Sequence, residues 1–153
     1  MRKIIALFGI VLLLAACEAD NIYSERTVFS DLLWSKTVQP SFTFEIKKEQ
    51  NYRINLELRL IYDYPYKNIK MDMLFTGENG EKQSFPIDFI VQEERGVYNG
   101  DIMGDFIDYK ETLISDTVLA AGKYTIVLDQ LMEENALPFV NEVGIVVEEV
   151  KQE

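Results

Sequence analysis

The sequence predicts an all-β protein, a two-sheet antiparallel β-sandwich of immunoglobulin-like or jelly-roll topology preceded by a signal-peptide helix. Three observations predict it. From Ser41 onward apolar residues fall at alternate positions, the period of a strand with one face buried and the other wet. Turn signals recur at the spacing of roughly 8–12 residues that sandwiches show. No long amphipathic helical period and no internal repeat interrupts this pattern, and a sheet that is apolar on one face must cover that face with another.

The chain opens with an address. Arg2 and Lys3 precede an apolar run, Ile4 to Leu14, broken only by Gly9. That run is too short to span a bilayer, which takes about 20 apolar residues, and fits the hydrophobic region of a signal peptide. Leu14-Ala15-Ala16-Cys17 then reads as a bacterial lipobox. Its thiol is the nucleophile that takes diacylglycerol, and the chain is cut before it and acylated on the new amine. Three segments follow: a lipoprotein signal peptide at 1–16, a lipidated N-terminus and polar tether at 17–33, and the β-sandwich at 34–153. Two or more acyl chains hold a protein on a membrane without a spanning helix.

Trp34 leads into the first clear strand as a core plug. Phe42, Phe44 and Ile46 alternate with Thr43, Glu45 and Lys47. Tyr52, Ile54, Leu56, Leu58 and Leu60 alternate with Arg53, Asn55, Glu57 and Arg59, and Ile69, Met71, Met73 and Phe75 form a third set. Gly77-Glu78-Asn79-Gly80 marks a hairpin, because Asn-Gly supplies positive φ cheaply. The return strand carries Phe85, Ile87, Phe89 and Val91, and Pro86, which has no ladder donor, assigns it to an edge or a bulge. Gly96–Gly104 reads as a turn or bent strand, and Phe106–Val118 as a weaker strand. Gly122-Lys123 introduces Tyr124, Ile126 and Leu128. Leu131–Ala136 reads as one helical turn, ended by Pro138. Val143, Ile145 and Val147 close the domain.

Composition narrows the function. The 153 residues hold no histidine, one cysteine and a formal charge of −11. No histidine excludes a Ser-His-Asp triad and an imidazole base; one cysteine excludes an intrachain disulfide and a Cys-based metal cluster. The acidic balance argues against nucleic acid, whose phosphates need cations. Loss of Arg2 and Lys3 takes two positive charges from the precursor's −11 and leaves −13 on the mature side chains, so no polybasic patch seconds the lipid anchor. Asp101, Asp105 and Asp108 cluster, but not at EF-hand spacing, and no metal is expected. No paired carboxylates stand out for glycoside chemistry, so the expectation is a non-enzyme with no cofactor beyond the diacylglycerol and N-acyl lipid on Cys17. The pairs Glu93-Glu94, Glu133-Glu134 and Glu148-Glu149 read as solvated loops and strand ends. Tyr64, Pro65 and Tyr66 occupy a loop, where two rings with polar tips around a rigid proline form a candidate partner-binding surface.

Read in order, several segments resemble a known family: the lipobox at Cys17, Trp34, the Phe42-Thr43-Phe44 strand, Asp63-Tyr64-Pro65-Tyr66-Lys67-Asn68-Ile69, Tyr98-Asn99-Gly100-Asp101-Ile102-Met103-Gly104-Asp105, Gly122-Lys123-Tyr124-Thr125 and Val143-Gly144-Ile145-Val146-Val147-Glu148. Together they are similar to the gliding-motility lipoprotein H (GldH) family of the Bacteroidota. Tyr98 stands where members commonly carry Trp. The resemblance implies a palmitate-bearing cell-envelope lipoprotein, expected at the outer membrane, that assists the gliding-motility and type IX secretion machinery through contacts with other envelope proteins. It brings no catalytic residue. A surface-tethered carbohydrate-binding module is the alternative. A flat row of aromatic rings on one sheet would favour sugar, and one apolar patch at an edge or loop end would favour a protein.

Overall fold

A computed structural model describes residues 20–151. Cys17 and the signal peptide lie outside the described residues, as does the helix expected there. The described chain is all-β, with thirteen strands and no helix. One sheet of five strands runs in the order β1 (Asp20–Val28), β13 (Val140–Glu149), β4 (Gln50–Ile61), β10 (Phe106–Leu119), β9 (Asp101–Met103). A second of four runs β3 (Ser41–Ile46), β11 (Gly122–Gln130), β5 (Asn68–Thr76), β6 (Lys82–Ile90). Two small ribbons complete it: β2 (Leu33–Ser35) with β12 (Ala136–Pro138), and β7 (Gln92–Glu94) with β8 (Val97–Tyr98). Every pairing is antiparallel.

The alternation in the sequence is the reason the two large sheets face each other. Ile54, Leu56, Leu58 and Leu60 from β4, with Val143, Ile145 and Val147 from β13, meet Phe42, Phe44 and Ile46 from β3 and Ile126 and Leu128 from β11 in one core. Trp34 is fully buried against Phe29, rings 5.9 Å apart, and its indole donates to the Val38 carbonyl at 3.0 Å. Most connections change sheet; the hairpins β5–β6, β7–β8 and β9–β10 do not, and the first and last of these lie in the large sheets. The first follows the Asn-Gly signal, with Gly80 at φ 80°. The last turns on Gly104-Asp105, with Gly104 at φ 65°, the left-handed conformation a two-residue hairpin requires. Pro86 lies on β6, the outer strand of its sheet, where a missing donor costs the ladder nothing.

Three expectations are corrected. Residues 20–28, read as part of a tether, form β1, an edge strand paired with β13 along its length. From Asn21 to Val28 its residues are exposed or half-exposed, so no apolar period marked it. Phe106–Val118, read as weak, belongs to the long β10, whose register slips twice against β4 between Thr112 and Thr117; the slips break its alternation. Leu131–Ala136 forms no helical turn: residues 132–135 are a series of bends and Ala136 already opens β12, with the bends held by Gln130, whose Oε1 accepts from the Met132 N–H at 3.0 Å.

Candidate protein-contact surface

β4 runs the length of the sandwich, twelve residues or roughly 40 Å at about 3.4 Å each. One end of the molecule therefore holds Asp20 of β1, and the other holds Ile61 of β4 with the loops packed around it. The two ends differ. Of the large apolar side chains that are exposed among the described residues, only Ile22 and Val118 lie toward the Asp20 end. Tyr62, Val97, Ile102, Met103, Phe106 and Phe139 gather around the Ile61 end. Ile102 and Met103 are 55% and 64% exposed on β9, the outermost strand of its sheet. Tyr62 and Tyr98 meet with ring centroids 5.3 Å apart, and Phe106 carries the Arg59 guanidinium 5.5 Å from its ring centre.

This surface is held rigidly. Gln92 is buried and donates its side-chain amide to the carbonyls of Tyr64 at 3.1 Å and Tyr66 at 2.9 Å, while its Oε1 accepts from the Gly96 N–H at 2.7 Å. One side chain thus ties the 62–67 loop to the β7–β8 hairpin. The N–H groups of Val91 and Gln92 both donate to the Lys67 carbonyl, at 2.9 and 3.1 Å, and the Tyr109 hydroxyl donates to Val91 O at 2.9 Å. The Tyr62 N–H donates to Asp105 O at 2.8 Å, and the Ile61 N–H to Phe139 O at 2.9 Å. Phe139 sits at φ 63° and Leu32 at φ 59°, left-handed conformations that bulky residues rarely adopt and that cluster where function holds them.

Of the three residues proposed from sequence, the structure separates one from the others. Tyr64 is 1% exposed, its ring edge-on to Tyr66 at 5.6 Å, and its hydroxyl meets no partner among the described residues. Burial pushes its phenol far above the ordinary tyrosine range. Tyr64 is therefore a core residue that caps the sandwich, and it is withdrawn from any contact surface. Pro65 is exposed and Tyr66 half-buried; burial, then Glu134 beside its hydroxyl, raises the Tyr66 phenol. Ile102 and Met103 escaped notice because a glycine-rich stretch reads as a turn; their adjacent apolar side chains were the available signal.

The outer face of the five-stranded sheet is a lattice of opposed charges. Arg26 reaches from β1 across β13 to Glu57, Nη2 to Oε2 2.5 Å. It can do so because Gly144 lies between them: a Cβ there would stand 2.6 Å from Arg26 Cγ. Arg59 holds Asp108 through two bonds, 2.6 and 2.8 Å, and approaches Glu142 at 3.6 Å. That guanidinium keeps the Asp108 carboxyl below the usual range. Glu148, read from sequence as solvated, is buried and paired with Lys110; burial raises its carboxyl, but Lys110, Asn55 and Arg53 together outweigh it and the net shift is downward. Asp101 and Asp108 face each other across β9 and β10 while Asp105 lies in the turn between them, and no three acidic, cysteine or histidine side chains among the described residues could hold a metal ion. Glu57, Asp108, Glu142 and Glu148 are paired with basic neighbours, and their chemistry is to pin strands together.

Comparison with known proteins places the chain. A family model described as GldH lipoprotein matches residues 21–147. No curated protein matches significantly. Solved structures with a similar course include a family 35 carbohydrate binding module from Clostridium thermocellum, at 13% identity, TM-score 0.36, over 69% of this chain and 68% of that one. Eiger TNF from S. frugiperda matches at 8% identity, TM-score 0.39, over 72% and 66%. CBM28, a carbohydrate-binding module specific for non-crystalline cellulose, matches at 14%, TM-score 0.40, over 84% and 72%.

Proposed function

The chain belongs to the GldH lipoprotein family, and from that premise we propose that it is a non-enzymatic accessory or assembly component of the gliding-motility and type IX secretion machinery. It is anchored in the outer membrane through lipid on Cys17 and acts by contact with other envelope proteins. The observation that carries the reading is the Ile61 end: exposed Ile102, Met103 and Phe139 on a scaffold clamped by Gln92. Rigid apolar surface bounded by polar residues is what protein interfaces use, since little ordering entropy is lost on binding. Sugar binding of the usual sandwich kind needs a flat aromatic platform. The outward residues of β4 are Arg53, Asn55, Glu57 and Arg59, and those of β3 and β11 include Thr43, Glu45, Lys123 and Thr125; no aromatic row lies there among the described residues.

The experiment is crosslinking and pull-down from intact cells with the lipidated protein, comparing wild type with Ile102→Asp and Phe139→Asn. Both positions are exposed, and Asn accepts the left-handed backbone at 139 readily, so stability is expected to hold or rise by about 1 kcal/mol at 139 as backbone strain is relieved. Capture of envelope proteins should fall several-fold in both variants. Recovery of glycans alone, with no envelope protein enriched over a control lipoprotein, overturns the reading.

A further inference from the structure

We propose that the Asp20 end of the sandwich lies against the bilayer, its lysines among lipid phosphates, and that the Ile61 end is thereby presented outward. This rests on the anchor reading of Cys17. The covalent chain sets the distance. β1 begins at Asp20, three residues after Cys17, and three residues fully extended reach at most about 11 Å. With β1 built into the sheet along its length, no loose tether intervenes, and the end of the sheet is confined to the depth of the headgroups.

The side chains at that end suit the place. Lys47 and Lys48 lie on the β3–β4 turn, Lys123 is opposite Glu45 on the neighbouring strand, Lys82 opens β6 and Lys151 follows β13. These are five of the nine lysines beyond the signal peptide. Glu45, Glu49, Glu78, Glu81, Glu149 and Asp20 answer them locally, and Arg53 pairs with Asp116, so this end stays close to neutral while the mature side chains total −13. The acidic excess lies elsewhere. Anionic headgroups would repel those other surfaces, whereas a long lysine stem can carry its amine to a phosphate. Anchor position and charge distribution therefore select the same orientation. The contact surface at the other end then stands roughly 40 Å from the lipid, the length of β4.

The test uses full-length, lipid-modified protein reconstituted in vesicles of phosphatidylethanolamine and phosphatidylglycerol. With Cys17 acylated, an added cysteine is the sole labelling site. A fluorophore is placed by Glu49→Cys at the Asp20 end or by Asp105→Cys at the Ile61 end, and lipids with headgroup nitroxides quench it. Quenching is expected to be several-fold stronger at 49 than at 105. Equal or reversed quenching in protein that floats with the vesicles overturns the orientation while leaving the anchor intact. If wild type floats no better than Cys17→Ser, the anchor reading falls and the orientation with it. Charge reversal at Lys47, Lys48 and Lys123 should leave flotation unchanged and weaken quenching at 49; unchanged quenching removes the lysines from the contact.

Discussion

Gln92 shows how much one buried side chain can organise. Its three hydrogen bonds join two loops that share no strand pairing. Removing it leaves two carbonyls and an N–H without their partner, at a cost of about 1–3 kcal/mol for enclosed polar groups. Gln92→Ala is expected to lower unfolding stability by that amount and to speed amide exchange at Gly96, in the β7–β8 hairpin, with the strands of the core unchanged. Asp108 and Glu148 make the molecule acid-sensitive. Both carboxyls are depressed in the folded state, so their stabilisation is complete above about pH 5 and drains as pH falls below about 4 through the folded values. Denaturant melts between pH 7 and 3 should show this loss, and Asp108→Asn should flatten part of it, because an amide does not titrate.

At the scale of elements, Gly144 decides whether β1 can lie flat. A Cβ at 144 would stand 2.9 Å from the Glu25 carbonyl as well as 2.6 Å from Arg26 Cγ. Gly144→Val should push β1 away and cost about 1–3 kcal/mol, in the range of overpacked sites, with the added amide exchange concentrated in residues 20–28. The strands that sequence reading located, β3, β4, β5 and β11, have clean alternation because one face of each meets the core. β1 was missed for the converse reason: Asn21, Ser24, Glu25 and Arg26 are exposed, and its place is fixed by backbone pairing to residues more than a hundred positions away. The proposed contact surface was half legible. Tyr-Pro-Tyr marked a loop that the structure places at the Ile61 end, but the burial of Tyr64 depends on Gln92 and on β10, which local sequence cannot supply.

The whole molecule is polarised along its long axis, lysine-bearing at one end and apolar at the other, with six of its tyrosines held neutral above their ordinary range, burial being the first cause for each. Ultraviolet titration should therefore find most phenols silent at pH 10–11, appearing together only when alkali unfolds the chain; the raised folded values mean that stability is whole below pH ~10 and falls above it. The pairing of β1 with β13 has a further consequence, in time rather than space. The first strand of the domain hydrogen-bonds to the last, and β4 lies between β13 and β10, both of which come after it in the chain. A chain threaded across a membrane N-terminus first emerges with nothing for β1 or β4 to pair with until residues beyond 106 arrive. The five-stranded sheet closes only once residues 140–149 have emerged, and loop closures of that length are slow to form. Until then the unpaired edges of β1 and β4 are exposed, the state in which strand-edge aggregation competes with folding.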